Sequence, residues 1–186
     1  LGTDLLEHPE KAEGANNIVI VGGGVVGCET AHWLANEYGK NVTVLEMLPH
    51  FMMGVCTANR GHLLHYLEKS GVRLYNCTKV KALAKDGVYV EQNQSQTVPD
   101  PYNTWQPLLP PNIPNPMEKA IKEEIVEKKI PADLIVLAMG GKADETFFFE
   151  AGEEHLAKEI YNIGDSSRAG RVLEAVRGAY HLAVRI

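Results

Sequence analysis

The apolar positions of this chain fall into short runs with two distinct periods. Ile18 to Val21 is an unbroken aliphatic run, the pattern of a strand covered on both faces of a parallel sheet. A glycine-rich turn follows, and then Gly27, Ala31, Leu34, Ala35 and Tyr38 recur at spacings of three and four, which predicts one buried face of a helix. Gly39 stands where a left-handed helix end is wanted, and Val42 to Leu45 reads as a second buried strand. Together these segments predict a βαβ unit of the usual size, about 30 residues.

Farther along, Leu63, Leu64 and Leu67 predict a helix over 61–69, closed by Gly71. Residues 72–92 alternate and are broken at Asp86-Gly87, a hairpin signal. Residues 122–129 fit either a helix or a strand, the strand being favoured, whereas 135–139 and 160–163 are read as strands that end at Gly140-Gly141 and Gly164-Asp165. Val172, Leu173, Val176, Tyr180 and Ala183 predict one face of a final helix. The fold class that follows is α/β, a Rossmann-like parallel sheet flanked by helices with an added β-meander. Two stretches carry no regular period. Residues 1–14 are polar and read as a linker, and the stretch from Gln92 to Met117 holds seven of the ten prolines, an irregular excursion of a length that usually has a function or lacks order.

Composition narrows the function classes. At 186 residues, 45% apolar and 23% charged, the chain has the make-up of a globular protein. A net charge of −6 without clustered Lys or Arg argues against a nucleic-acid ligand. No apolar run approaches the roughly 20 residues of a membrane span. The N-terminus has neither an initiator Met nor the layout of a signal peptide, so the chain is expected to be part of a longer, cytoplasmic protein. Cys28, Cys56 and Cys77 are widely spaced, which suggests ordinary thiols in a reducing compartment and no metal site. His32, His62 and His65 lean toward exposed helix positions and form no metal set, and Arg168, Arg171 and Arg177 read as a solvated face.

The chemistry is concentrated in GGGVVG, Gly22 to Gly27. A glycine pattern of this kind indicates a dinucleotide when a strand precedes it, a helix follows it and an acid stands about 20 residues on. All three conditions hold. Gly22 allows the tight turn, Gly24 lets the backbone approach a pyrophosphate, and Gly27 lets the helix pack close to the strand. Gly23, Val25 and Val26 complete the loop and the first helical turn, whose free N–H groups and dipole favour phosphate. Glu46, at the end of the second predicted strand, can accept from both hydroxyls of an adenosine ribose and would repel a 2′-phosphate. The sequence Met47-Leu-Pro-His-Phe-Met-Met-Gly54 after it has no Lys or Arg to offset that repulsion, so NAD(H) is favoured over NADP(H). The ADP half of FAD remains an alternative ligand for the same unit.

GGGVVGCE, ADLIVLAMG and IYNIGD together resemble the two-dinucleotide flavoprotein reductases, in particular the C-terminal part of the NADH:flavin oxidoreductases that include 2,4-dienoyl-CoA reductase, 2-enoate reductase and trimethylamine dehydrogenase. The resemblance covers the chain from Gly14 onward, apart from the proline-rich excursion. It implies an NAD(H)-binding domain over residues 15–142, with Gly140 near its end, and a segment over 143–186 that returns to a flavin-type domain. It further implies that Gly164 and Asp165 face the ribityl-phosphate of FAD, that the start of the final helix near Arg171 and Val172 points to the flavin ring, and that Glu29 lies near the nicotinamide. The function implied is a fragment that positions NADH for hydride transfer to a flavin. No side chain is required as acid or base, and the partners are the dinucleotide and the remaining domains of the parent enzyme. A non-catalytic nucleotide-binding module and an FAD-binding domain are the alternatives.

Overall fold

The computed structural model describes residues 1–105, 113, 115–116 and 119–186. Two compact units are present, Leu1–Met139 and Gly140–Ile186. In chain order the first holds α1 (Gly2–Glu7), β1 (Asn17–Val21), α2 (Val25–Tyr38), β2 (Asn41–Leu45), α3 (Thr57–Lys69), β3 (Arg73–Tyr75), β4 (Thr78–Ala84), β5 (Gly87–Asn93), β6 (Ile125–Pro131) and β7 (Leu134–Leu137). The second holds α4 (Thr146–Glu153) and α5 (Val172–Ala183).

Four strands make a parallel sheet in the order β3-β2-β1-β7, with Ile18 beside both Val42 and Leu134. The meander β4-β5-β6 is antiparallel. The period-two geometry of β1 divides its side chains between two cores. Ile18 and Ile20 pack with Cys28, Ala31 and Leu34 of α2 and Leu64 and Leu67 of α3, whereas Val19 and Val21 pack with Val88, Val90 and Ile130 of the meander. Both faces of the sheet are therefore covered, which is why its strands read as continuous apolar runs. Ala84 pairs with Gly87 around the hairpin, and Gly39 and Gly71 end their helices at φ +61° and +71°.

Several expectations are corrected. Residues 2–12, read as a polar linker, form α1 and a 3₁₀ turn (Pro9–Ala12) with Gly2, Leu5 and Ala12 buried. Three widely spaced small or apolar residues gave too weak a period to reveal them. Residues 160–163 are not a strand: among the described residues no segment pairs with them, and an apolar run without a hydrogen-bonding neighbour does not become one. Ile160 and Ile163 instead line a hollow with Phe147, Phe148 and Ala151 inside the second unit. Tyr38 is exposed and stacks edge-on against Trp33, with ring centroids 4.9 Å apart. The apolar face of α5 is exposed within its unit, from Val172 through Tyr180. His32 is half-buried, and its Nε2 has no hydrogen-bond partner among the described residues. His32, His62 and His65 surround the ring of Tyr66 edge-on.

Candidate functional site

The first three residues after β1 cannot continue as a strand. Gly22 has φ +113°, and a Cβ there would lie 2.3 Å from the carbonyl oxygen of Ala138. This φ lies in the region L side chains avoid, so the turn needs glycine. Gly27, in the first turn of α2, would place a Cβ 2.0 Å from the carbonyl oxygen of Gly22. The helix thus rests directly on the turn that precedes it. Gly23 is buried under Phe51, whose ring carbon lies 2.4 Å from the position of an added Cβ.

Gly24 differs from these three. Its backbone is extended (φ −72°, ψ −176°), a conformation open to any residue, and an added Cβ would meet no atom of the described residues within 4 Å. Packing inside the protein accounts for glycine at 22, 23 and 27, but not at 24. The open space lies at the N-cap of a 14-residue helix whose first turn is Val25, Val26 and Gly27. The amide of Cys28 is the first to reach back to Gly24 O, at 3.0 Å, so the amides before it have no helical acceptor four residues back. This is a cradle that a side chain would fill and that an anion suits, and it fits a dinucleotide pyrophosphate.

Glu46 follows β2 and turns back onto this loop. Its Oε2 accepts from the amide of Gly23 at 2.8 Å and its Oε1 from the amide of Leu48 at 2.8 Å. Each carboxylate oxygen keeps a second lone pair for an outside donor. Met52 N also donates to Gly23 O at 2.8 Å, so the segment after β2 is stitched to the glycine turn at two points. Glu29 and Met47 are exposed, beside and after these groups respectively.

Arg60 is the residue near the site that sequence reasoning missed. Its side chain is buried, with only 3% of its surface exposed, and no carboxylate among the described residues pairs with it. Nε donates to Phe51 O at 2.9 Å and Nη1 to Asn103 O at 3.0 Å. Burial holds its pKa below the usual arginine value. A signal was present: Arg60, Leu64 and Leu67 share the buried face of α3, so the arginine interrupts an apolar row at i, i+4, i+7 spacing.

The three thiols differ in environment. Burial, assisted by the nearby charges of Glu46 and Glu29, pushes the Cys28 thiol up to about 12. Cys77 is also raised by burial, and Cys56 is exposed. Because the thiolate is the nucleophile, a disulfide reagent at pH 8 is expected to modify Cys56 first and Cys77 more slowly, and Cys28 only after unfolding. Cys28 reacting in the folded chain as fast as Cys56 contradicts this assignment. The corresponding stability is complete below the ordinary thiol value, near 9, and is lost as the pH rises toward about 12, because the unfolded thiol ionises first.

The remaining predicted site residues belong to the second unit. Gly140 and Gly164 have φ +84° and +69°. Asp165 Oδ1 accepts from Gly170 N at 3.2 Å, a loop-closing bond, and Arg171 N donates to Glu174 Oε2 at 3.0 Å at the start of α5. Among the described residues no group of His, Cys, Asp or Glu has a metal-binding arrangement, and no helix is long and apolar enough to cross a membrane.

Comparison with known proteins agrees with this geometry. Residues 3–163 match the family model described as pyridine nucleotide-disulphide oxidoreductase. The chain is 26% identical over 183 residues to an NADH oxidase of Thermoanaerobacter brockii, covering 98% of this chain and 23% of that protein. It is 22% identical over 180 residues to a cinnamate reductase of Clostridium sporogenes, covering 95% of this chain and 22% of the relative. Among solved structures, a 2-naphthoyl-CoA reductase in complex with 2-naphthoyl-CoA superimposes with a TM-score of 0.71 at 25% identity, over 99% of this chain and 23% of the other. The chain thus spans less than a quarter of the length of each of these proteins. The chain belongs to the pyridine nucleotide-disulphide oxidoreductase family.

Proposed function

We propose that this chain is the NAD(H)-binding portion of a flavin-dependent oxidoreductase of the NADH:flavin oxidoreductase type, and that it positions NADH for hydride transfer to a flavin held by the parent enzyme. The observation that carries this reading is Gly24. Among the described residues nothing crowds a side chain at this glycine, unlike Gly22, Gly23 and Gly27, and it opens at a helix N-terminus. On this reading Gly22, Gly23 and Gly27 shape the turn, and the amides of Gly24, Val25, Val26 and Gly27 face the pyrophosphate. The outward lone pairs of Glu46 accept from the adenosine ribose, with Met47 beside it and Glu29 toward the nicotinamide. Residues 15–142 form the nucleotide domain, Gly140 lies at its end, and residues 143–186 return to the flavin domain with Gly164 and Asp165 toward the flavin nucleotide. When bound, the nicotinamide supplies the hydride and the flavin takes it up. The protein's own part is to bind, orient and set the local charge. Similarity to proteins named NADH oxidase and cinnamate reductase supports the assignment.

Fluorescence titration of the purified chain with NADH, NADPH and FAD tests it, with the half-buried Trp33 on α2 as reporter. Saturable binding that favours NADH is expected. Preference for FAD instead assigns the loop to a flavin, and absence of binding to all three removes the reading. Replacing Glu46 with Gln removes the repulsion of a 2′-phosphate and is expected to narrow the NADH over NADPH preference by roughly tenfold, about 1.4 kcal/mol. An unchanged ratio shows that Glu46 does not read the ribose.

A further inference from the structure

Two side chains join the loop at the glycine turn to a segment far away in sequence. Arg60 donates from Nε to Phe51 O and from Nη1 to Asn103 O. Asn76, buried between β3 and β4, donates from Nδ2 to Pro49 O at 2.7 Å and to Pro99 O at 2.9 Å. Each therefore holds one carbonyl of residues 49–51 and one of residues 99–103. The second segment is further fixed by Tyr102, whose hydroxyl donates to Val72 O at 2.6 Å and accepts from Leu74 N at 3.1 Å, along β3. The first segment seats the glycine turn, since Phe51 covers Gly23 and Met52 N bonds Gly23 O.

An arginine here is a poor choice for packing alone. It stands in a buried apolar row with no counter-charge among the described residues, and an apolar side chain of similar volume fills such a place without desolvating a cation. What the guanidinium adds is a fork of donors that can hold two carbonyls at once, and Asn76 repeats that bridge between the same two segments. Order in residues 99–103, where the chain enters its proline-rich excursion, is thereby linked to order in the loop over Gly23.

We propose that Arg60, together with Asn76, is a positioning residue of the nucleotide site that couples residues 99–103 to the loop seating the glycine turn. The proposal rests on the nucleotide reading above. Coupling of this kind is reciprocal, so a nucleotide that settles on the first turn of α2 and Glu46 tightens residues 99–103, and loosening those residues weakens the nucleotide.

Amide hydrogen exchange of the 186-residue chain, with and without saturating NADH, tests it. In the wild type NADH is expected to slow exchange both at 50–54 and at 102–105. In Arg60→Met the slowing is confined to 50–54, and the NADH Kd rises by roughly tenfold, within the range usual for coupled sites. Asn76→Leu gives the same pattern and serves if Arg60→Met fails to fold. A merely structural Arg60 lowers stability with and without nucleotide alike and leaves the NADH-dependent difference at 102–105 in place, which overturns the proposal. Wild-type binding of NADH with no change at 102–105 overturns it as well, while leaving the nucleotide reading intact. No NADH binding by the wild type overturns both.

Discussion

Gly27→Ala is expected to destabilise the first unit by about 3 kcal/mol, the upper range for forcing volume into a packed place. The added methyl would lie 2.0 Å from the carbonyl oxygen of Gly22, which is backbone and cannot rotate away. That carbonyl belongs to a turn already held on its other side by the hydrogen bonds that Gly22 N donates to Leu45 O and Ala138 N donates to Val21 O. The first turn of α2 must therefore retreat from β1, taking Cys28 and Ala31 out of register with Ile18 and Ile20. Urea unfolding followed through Trp33 measures the loss. A change under about 1 kcal/mol means that the helix can shift without disturbing the sheet, contrary to the close packing seen here.

Gly24→Ala is expected to do the opposite: leave the fold intact and remove the ligand. The backbone at this position suits alanine, and the new methyl meets no atom of the described residues within 4 Å. Restricting the unfolded chain favours the variant, loss of a good N-cap residue disfavours it, and the two nearly cancel to within about 0.5 kcal/mol. The same methyl occupies the space through which a pyrophosphate approaches the amides of the first turn. NADH affinity is expected to fall by at least about tenfold, or 1.4 kcal/mol. Measured together by urea unfolding and NADH titration, the two variants separate a glycine required by the protein from one required by its ligand. Wild-type affinity in Gly24→Ala shows that the dinucleotide does not cross this residue.

The elements legible in the sequence are those whose evidence is local. β1, α2 and β2 each carry their own period and their own stop signals, so the βαβ unit and the hairpin at Asp86-Gly87 were visible without coordinates, whereas residues 122–129 fitted either a helix or a strand until pairing with β5 made Ile125–Pro131 a strand. The final helix was equally plain from the spacing of Val172, Leu173, Val176 and Tyr180, although periodicity does not say whether such a face is covered, and within its unit it is exposed. Where the local signal was thin, reading failed. α1 offers little more than Gly2 and Leu5, and residues 160–163 have a strand's composition but no neighbour to pair with.

The site divides along the same line. The sequence by itself determined that a glycine turn joins a strand to a helix and that an acid ends the next strand, because spacing along one chain sets those relations. The sequence also set out roles for Gly22, Gly24 and Gly27; only the tertiary structure showed which atoms crowd a side chain at 22, 23 and 27, namely Ala138 O, the Phe51 ring and Gly22 O. It likewise decided that Glu46 holds the amides of Gly23 and Leu48, and that Arg60 and Asn76 bridge residues 49–51 to 99–103. Hydrogen bonds between segments distant in sequence leave no periodicity behind; they exist because packing brings a donor within about 3 Å of a carbonyl from another part of the chain.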